Sequence, residues 1–220
     1  MLRQLFSALK SGDILDEAFA ELGQMLDHAQ RMFVRANEVL RREVPAHEAR
    51  DPLYKQDKAI NDLLRSIRGK IVRHLTINPR VDVAACLALM SVAKDAERIG
   101  DYCKNVFEVG HFYREDFNVP RYQEPLEEVR KREEALFDEV KRAFLESDTK
   151  AAKGVLKAAD AIGDECDLVI EQLLGDAASI QTHEAVAYSL LARHYKRVAS
   201  HLSNVATAVL GKVEELDFRP

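Results

Sequence analysis

The 220-residue sequence is predicted to be all-α, with six helices arranged as two tandem three-helix bundles. Three observations carry that prediction. Ala, Leu, Glu, Lys and Arg dominate, glycine and proline are sparse and tryptophan is absent, a composition that favours helix. Apolar residues recur at three- and four-residue steps almost throughout, and the short interruptions carry proline, glycine or capping residues. The third observation is a repeat: KDAERIGDYCKNVFE (Lys94 to Glu108) shares its frame with RHYKRVASHLSNVAT (Arg193 to Thr207), with Arg197 for Arg98 and Asn204 for Asn105, as expected of a duplicated unit.

The elements follow in order. A first helix runs from about Asp13 to Arg42 and stops at Val44 and Pro45. Asp51 and Pro52 read as an N-cap with proline in the first helical position, opening a second helix to about Leu75. Asn78 and Pro79 repeat the signal and open a third, from about Arg80 to Tyr113. The segment EDFNVPRYQE has proline, mixed charge and no helical period, and reads as a linker over 115–124. Three more helices are expected from about Pro125 to Glu146, Asp148 to Leu174 and Thr182 to Glu215, with Gly175 and Asp176 as a stop and Thr182 as a cap. The repeat units then span 1–114 and 125–220. Asp57 and Asn61 in helix two find counterparts in Asp160 and Asp164 of helix five. The longest helices would extend about 45 Å at 1.5 Å per residue, which suits an elongated bundle.

Composition narrows the function. The net charge of −5 at pH 7 gives no general attraction for nucleic acid or anionic lipid. Cys86, Cys103 and Cys166 are odd in number and form no CxxC pair, so they read as reduced thiols of a cytoplasmic protein. No apolar run approaches the roughly 20 residues that span a bilayer, so any membrane role is peripheral, through a partner.

On helix three, Glu97, Asp101, Asn105 and Glu108 fall within about 80° of arc, while Ile99, Tyr102, Cys103, Val106, Phe107 and Val109 cover the other side. The stripe is an outward-facing candidate metal site. Asp57 and Asn61, at the edge of the apolar face of helix two, would converge on the same groove, and a hard cation would relieve the repulsion between grouped carboxylates. The competing reading is a solvated face paired with Lys94, Arg98 or Lys104. In the second copy Lys196 and Ser200 replace the acids at Glu97 and Asp101. Glu108 and His111 form an ExxH, but an iron centre in a bundle core needs a second such pair and none is found. His194 and His201, seven apart, share a face and more simply read as boundary histidines. No phosphate loop, nucleophile elbow, HExxH or zinc-finger spacing is present.

DAERIGDYCKNVFE (Asp95 to Glu108) closely resembles the DLERIGDxAxNIAE-like signature of the phosphate-uptake regulator family, PhoU, and QDKAINDLLRSI (Gln56 to Ile67) is similar to its aspartate-rich second-helix pattern. The resemblance implies two three-helix bundles side by side. It also implies a metal ion held on the surface by E/DxxxD carboxylates, as multinuclear iron or as zinc, manganese or magnesium. Glu97 and Asp101 would be the core ligands, and Asp57, Asn61, Asn105 and Glu108 additional or supporting groups. A lysine at position 196 repels a cation, so one cluster or none is expected rather than a symmetrical pair. The implied role is a non-enzymatic regulator of phosphate transport and phosphate-responsive signalling, forming a homodimer and contacting a phosphate transporter or a sensor histidine kinase at the cytoplasmic membrane face. The alternatives are a metal-dependent, carboxylate-bridged iron enzyme and a metal-free helical interaction protein.

Overall fold

The computed structural model describes residues 14–175, 180–211 and 215–216. Within them lie six helices and no strand: α1 (Ile14–Leu40), α2 (Ala46–Ile77), α3 (Val83–Phe112), α4 (Pro120–Glu146), α5 (Thr149–Gly175) and α6 (Thr182–Val209). The all-α architecture is as the periodicity predicts. Asp13, Asp176 and residues 212–214, where helix ends were expected, lie outside the described residues.

Several boundaries differ, and proline accounts for most of them. Helix α2 begins at Ala46 behind an extended Pro45, and Pro52 lies within it, so Asp51 is no cap. A proline inside a helix removes one bond and crowds the preceding turn. Here the amphipathic face that buries Leu53, Ile60, Leu64, Ile67 and Ile71 carries the helix through. Asn78 closes α2, its N–H donating to the His74 carbonyl at 2.8 Å, instead of opening the next helix. Helix α3 starts at Val83 after Asp82 in the left-handed region at φ 57°. Helix α4 begins at Pro120 with Pro125 inside it, so the connection between the halves shortens from 115–124 to 113–119. Asp148 does cap α5, accepting the N–H groups of Lys150 and Ala151 at 2.9 and 3.0 Å. Gln181, not Thr182, is the N-cap of α6, which stops at Val209 before a turn at Leu210 and Gly211.

Helices α1, α2 and α3 pack on one another, α4, α5 and α6 do likewise, and the pairs α1–α4 and α3–α6 join the two sets. The join is apolar. Phe33 of α1 lies 5.6 Å from Phe137 of α4 and 5.9 Å from Tyr195 of α6, ring centre to ring centre, and the buried apolar residues form a single cluster through both halves. Tyr195 donates its hydroxyl to Asn37 Oδ1 at 2.5 Å, while the Asn37 amide donates to the Phe33 carbonyl at 2.8 Å. Both polar groups of a fully buried asparagine are thereby satisfied.

One guanidinium binds three carbonyls at the connection. Arg42, at φ 63°, donates to the carbonyls of Gly110 at 2.8 Å, Glu115 at 2.9 Å and Tyr113. This occupies carbonyls at the end of α3 that have no partner within the helix. Gly110 permits the approach: a Cβ there would lie 2.9 Å from the Leu40 backbone nitrogen. An acid also lies within the core. Glu133 on α4 is 0 % exposed, and neither carboxyl oxygen has a hydrogen-bond partner. Burial pushes its carboxyl well above the usual range, against smaller opposing effects of the Ala199 amide and the Arg132 charge.

Candidate functional site

The acidic stripe of α3 is present, and its residues divide among different neighbours. Glu97 is mostly buried, at 14 % side-chain exposure, and accepts the Lys94 ammonium one turn before it. Asp101 is half exposed and accepts Lys104 at 2.8 Å. Asp57 reaches across from α2 to the same ammonium at 2.9 Å. The structure therefore brings Asp57 and Asp101 to one point, as the sequence suggests, with Lys104 already between them. Burial alone would lower the Lys104 ammonium, but the hydrogen bonds from Asp101 and Asp57 outweigh it and push it up to about 12. The Asn61 amide donates to the Asp57 carbonyl at 3.0 Å and belongs to its own helix. Asn105 and Glu108 line a different groove, described below.

This donor set does not suit a multinuclear metal cluster. Clustered carboxylates repel, and a cation offsets that repulsion. Here Lys94 and Lys104 supply the positive charge from within the fold. No group of three or more His, Cys, Asp or Glu side chains able to hold a metal ion occurs among the described residues. His111, three residues beyond Glu108, has its ring stacked on Phe107 with centres 5.9 Å apart. The three cysteines are unpaired and buried, and burial pushes the thiols of all three up, that of Cys86 to about 11.

The second copy differs in charge. Lys196, at the position matching Glu97, pairs with Asp167 on α5. Asp160 and Asp164 line a separate depression with Lys196, Ser200 and Asn204. Between α3 and α6 the sequence reading missed a buried polar cluster. Asp95 Oδ1 accepts His201 Nδ1 at 2.7 Å and the Asn204 amide at 2.9 Å. Tyr102, the counterpart of His201 in the repeat frame, stacks on that histidine at 5.6 Å and contacts His194 at 6.0 Å. The seven-residue spacing of His194 and His201 thus marks an inter-repeat stack, and burial lowers the His194 imidazole below its ordinary range. The one sequence signal was that Tyr102 and His201 occupy equivalent positions in the repeat frame; their contact follows only from how α3 packs on α6.

At the far end of the same helix pair a groove of about 800 Å³ opens between the end of α3 and the start of α6. Phe112, Val186 and Leu190 supply exposed apolar surface, while Asn105, Glu108 and His194 edge it with polar groups. A largely apolar trough with a polar rim is the kind of surface that receives another protein's side chains. No described helix is long and apolar enough to cross a membrane.

Two matched three-helix units, joined through one core and presenting carboxylate–lysine clusters and an open groove, define an all-helical protein of paired repeats whose exposed features suit contact. The PhoU domain profile matches residues 22–109 and again 126–209, and the chain belongs to the PhoU family, whose members are regulatory accessory proteins and not enzymes. A Synechocystis protein described as a phosphate-specific transport system accessory protein PhoU homolog is 24 % identical over 203 residues, covering 89 % of this chain and 86 % of its own. The crystal structure of PhoU from Pseudomonas aeruginosa superposes with a TM-score of 0.76 at 20 % identity, covering 90 % of this chain and 95 % of that one. The phosphate transport system regulatory protein PhoU of Streptococcus pneumoniae gives 0.73 at 18 % identity, over 94 % and 97 % of the two chains. The six-helix fold is that of these proteins.

Proposed function

We propose that this chain regulates phosphate transport and phosphate-responsive signalling as a cytoplasmic adaptor. It forms a homodimer and binds a phosphate transporter, a sensor histidine kinase, or both at the membrane face. The observation that carries this reading is the PhoU match over both repeats, together with a relative described as a transport-system accessory protein. The apolar groove at Phe112, Val186 and Leu190 is the surface we assign to partner contact. Deleting the gene should change phosphate uptake and phosphate-responsive expression. Phe112→Asp/Leu190→Asp should reproduce the deletion while leaving the melting temperature unchanged. Wild-type uptake and expression in the deletion strain would overturn the proposal.

A metal enters this reading as a competitor of lysine. A divalent ion at Asp57 and Asp101, with Glu97 nearby, binds only by displacing Lys104, so its occupancy should be weak. Elemental analysis of untagged protein beside Glu97→Ala/Asp101→Ala measures it directly, and metal lost only in the variant supports the site. The lysine-filled cluster also favours the metal-free interaction protein, in which the same double variant leaves partner binding intact.

A further inference from the structure

The cleft midway along the α3–α6 pair has a composition that neither the carboxylate cluster nor the apolar groove shares. Its volume is about 380 Å³, and Arg98 and Arg197 line it from opposite helices together with Lys94, Ser200 and His201. Arg98 and Arg197 are equivalent in the two repeats, so the duplication places one guanidinium from each copy at the same opening. Both are exposed, and among the described residues neither has an ion-pair or hydrogen-bond partner. Lys94 is already engaged by Glu97.

Asp95 and Asn204 also line the cleft, and the Asp95 carboxylate is committed. Asp95 Oδ1 holds His201 Nδ1 and the Asn204 amide, fixing the imidazole that lines the opening. His201 is 8 % exposed, and its Nε2 has no hydrogen-bond partner. A buried polar atom without a partner costs stability unless a bound group satisfies it. Hydrogen phosphate carries both a donor and acceptors, so it can satisfy Nε2 in either protonation state of the ring. The loss of acids in the second copy acts in the same direction. Ser200 stands where the first copy has Asp101, placing a hydroxyl at the cleft instead of a carboxylate.

We propose that the α3–α6 cleft binds a dianionic phosphoryl group, either free phosphate or the terminal group of a small phosphomonoester, clamped between Arg98 and Arg197 with Ser200 and His201 as further polar partners. Two guanidinium groups opposed across an opening match the geometry of phosphate oxygens, which arginine engages two at a time. The site is independent of the transport reading and stands or falls separately.

The test is a titration of the full chain with inorganic phosphate, and separately with phosphoserine, followed by calorimetry and by amide chemical shifts at constant ionic strength. Saturable binding is expected for at least one of the two, with shifts centred on Arg98, Ser200 and His201. Binding of phosphate identifies the free ion as sufficient, and binding of phosphoserine alone identifies the ester. Arg98→Ala/Arg197→Ala should weaken binding by at least about tenfold. Ser200→Asp, which restores the repeat's acid at an exposed position, should abolish it while both arginines remain. Arg68→Ala/Arg73→Ala removes the same charge from α2 and should leave binding unchanged. Melting curves confirm that each variant is folded. No saturable binding of either probe, or equal weakening in the α2 control, would overturn the proposal.

Discussion

Replacing Glu133 by glutamine and by leucine separates two consequences of one buried carboxyl. The group is fully buried with neither oxygen hydrogen-bonded, and burial holds its carboxyl well above the ordinary 4.5. Above that pH the unfolded chain has released this proton and the folded chain has kept it. Stability must then fall as pH rises, at up to about 1.4 kcal/mol per unit, until the folded carboxyl itself ionises. Glu133→Gln removes the titration and keeps a buried polar group. Glu133→Leu removes both, and the unsatisfied group alone is worth about 1–3 kcal/mol. Urea unfolding at about pH 5, 6 and 7 measures the difference. Wild type should lose stability against the glutamine variant as pH rises. The leucine variant should be the most stable at neutral pH, with a melting temperature raised roughly 2–4 °C per kcal/mol. Parallel pH profiles for wild type and Glu133→Gln would refute the assignment of a protonated carboxyl in the core.

Three further outcomes follow from the same packing. Lys104→Gln leaves Asp57 and Asp101 without their shared ammonium and should destabilise the fold by about 1 kcal/mol. Added manganese or magnesium should restore the loss, and elemental analysis should find more bound metal than in wild type. Gly110→Ala presses a Cβ against the Leu40 backbone and should lower stability by about 1–3 kcal/mol, measured by denaturant unfolding. Tyr195→Phe leaves the Asn37 Oδ1 buried without its donor and should cost about 1–2 kcal/mol, whereas Tyr54→Phe, on an exposed ring, should be neutral in the same assay.

The six helices were legible because their buried faces repeat with helical period over 27 residues or more. Their ends were less so. Pro52 and Pro125 look like helix starts, yet each lies inside a helix whose apolar stripe continues on both sides, so tertiary burial overrides a local signal. The convergence of Asp57 on Asp101 was also legible, from spacing alone. What fills the space between them was not: Lys104 is three residues from Asp101 in sequence, and only the orientation of α2 against α3 makes it a partner of Asp57 as well. Glu133 gave no sign of its burial, since an acid on an amphipathic helix normally faces water. Asp95, His201 and Asn204 meet across an interface between repeats, and periodicity within either repeat carries no information about that register.

The continuous core through Phe33, Phe137 and Tyr195 bears on how the two copies could diverge. In a symmetric dimer of a single three-helix unit, each amino-acid change would appear twice, and an acid exchanged for lysine would be exchanged on both faces. Linking the copies in one chain removes that constraint. The first copy carries Glu97 and Asp101 where the second carries Lys196 and Ser200, while the shared interior still enforces a common geometry. The two copies thus present different side chains at equivalent positions, as no homodimer of its parts could, and a partner docking across both would meet two chemically different surfaces in a single fixed orientation.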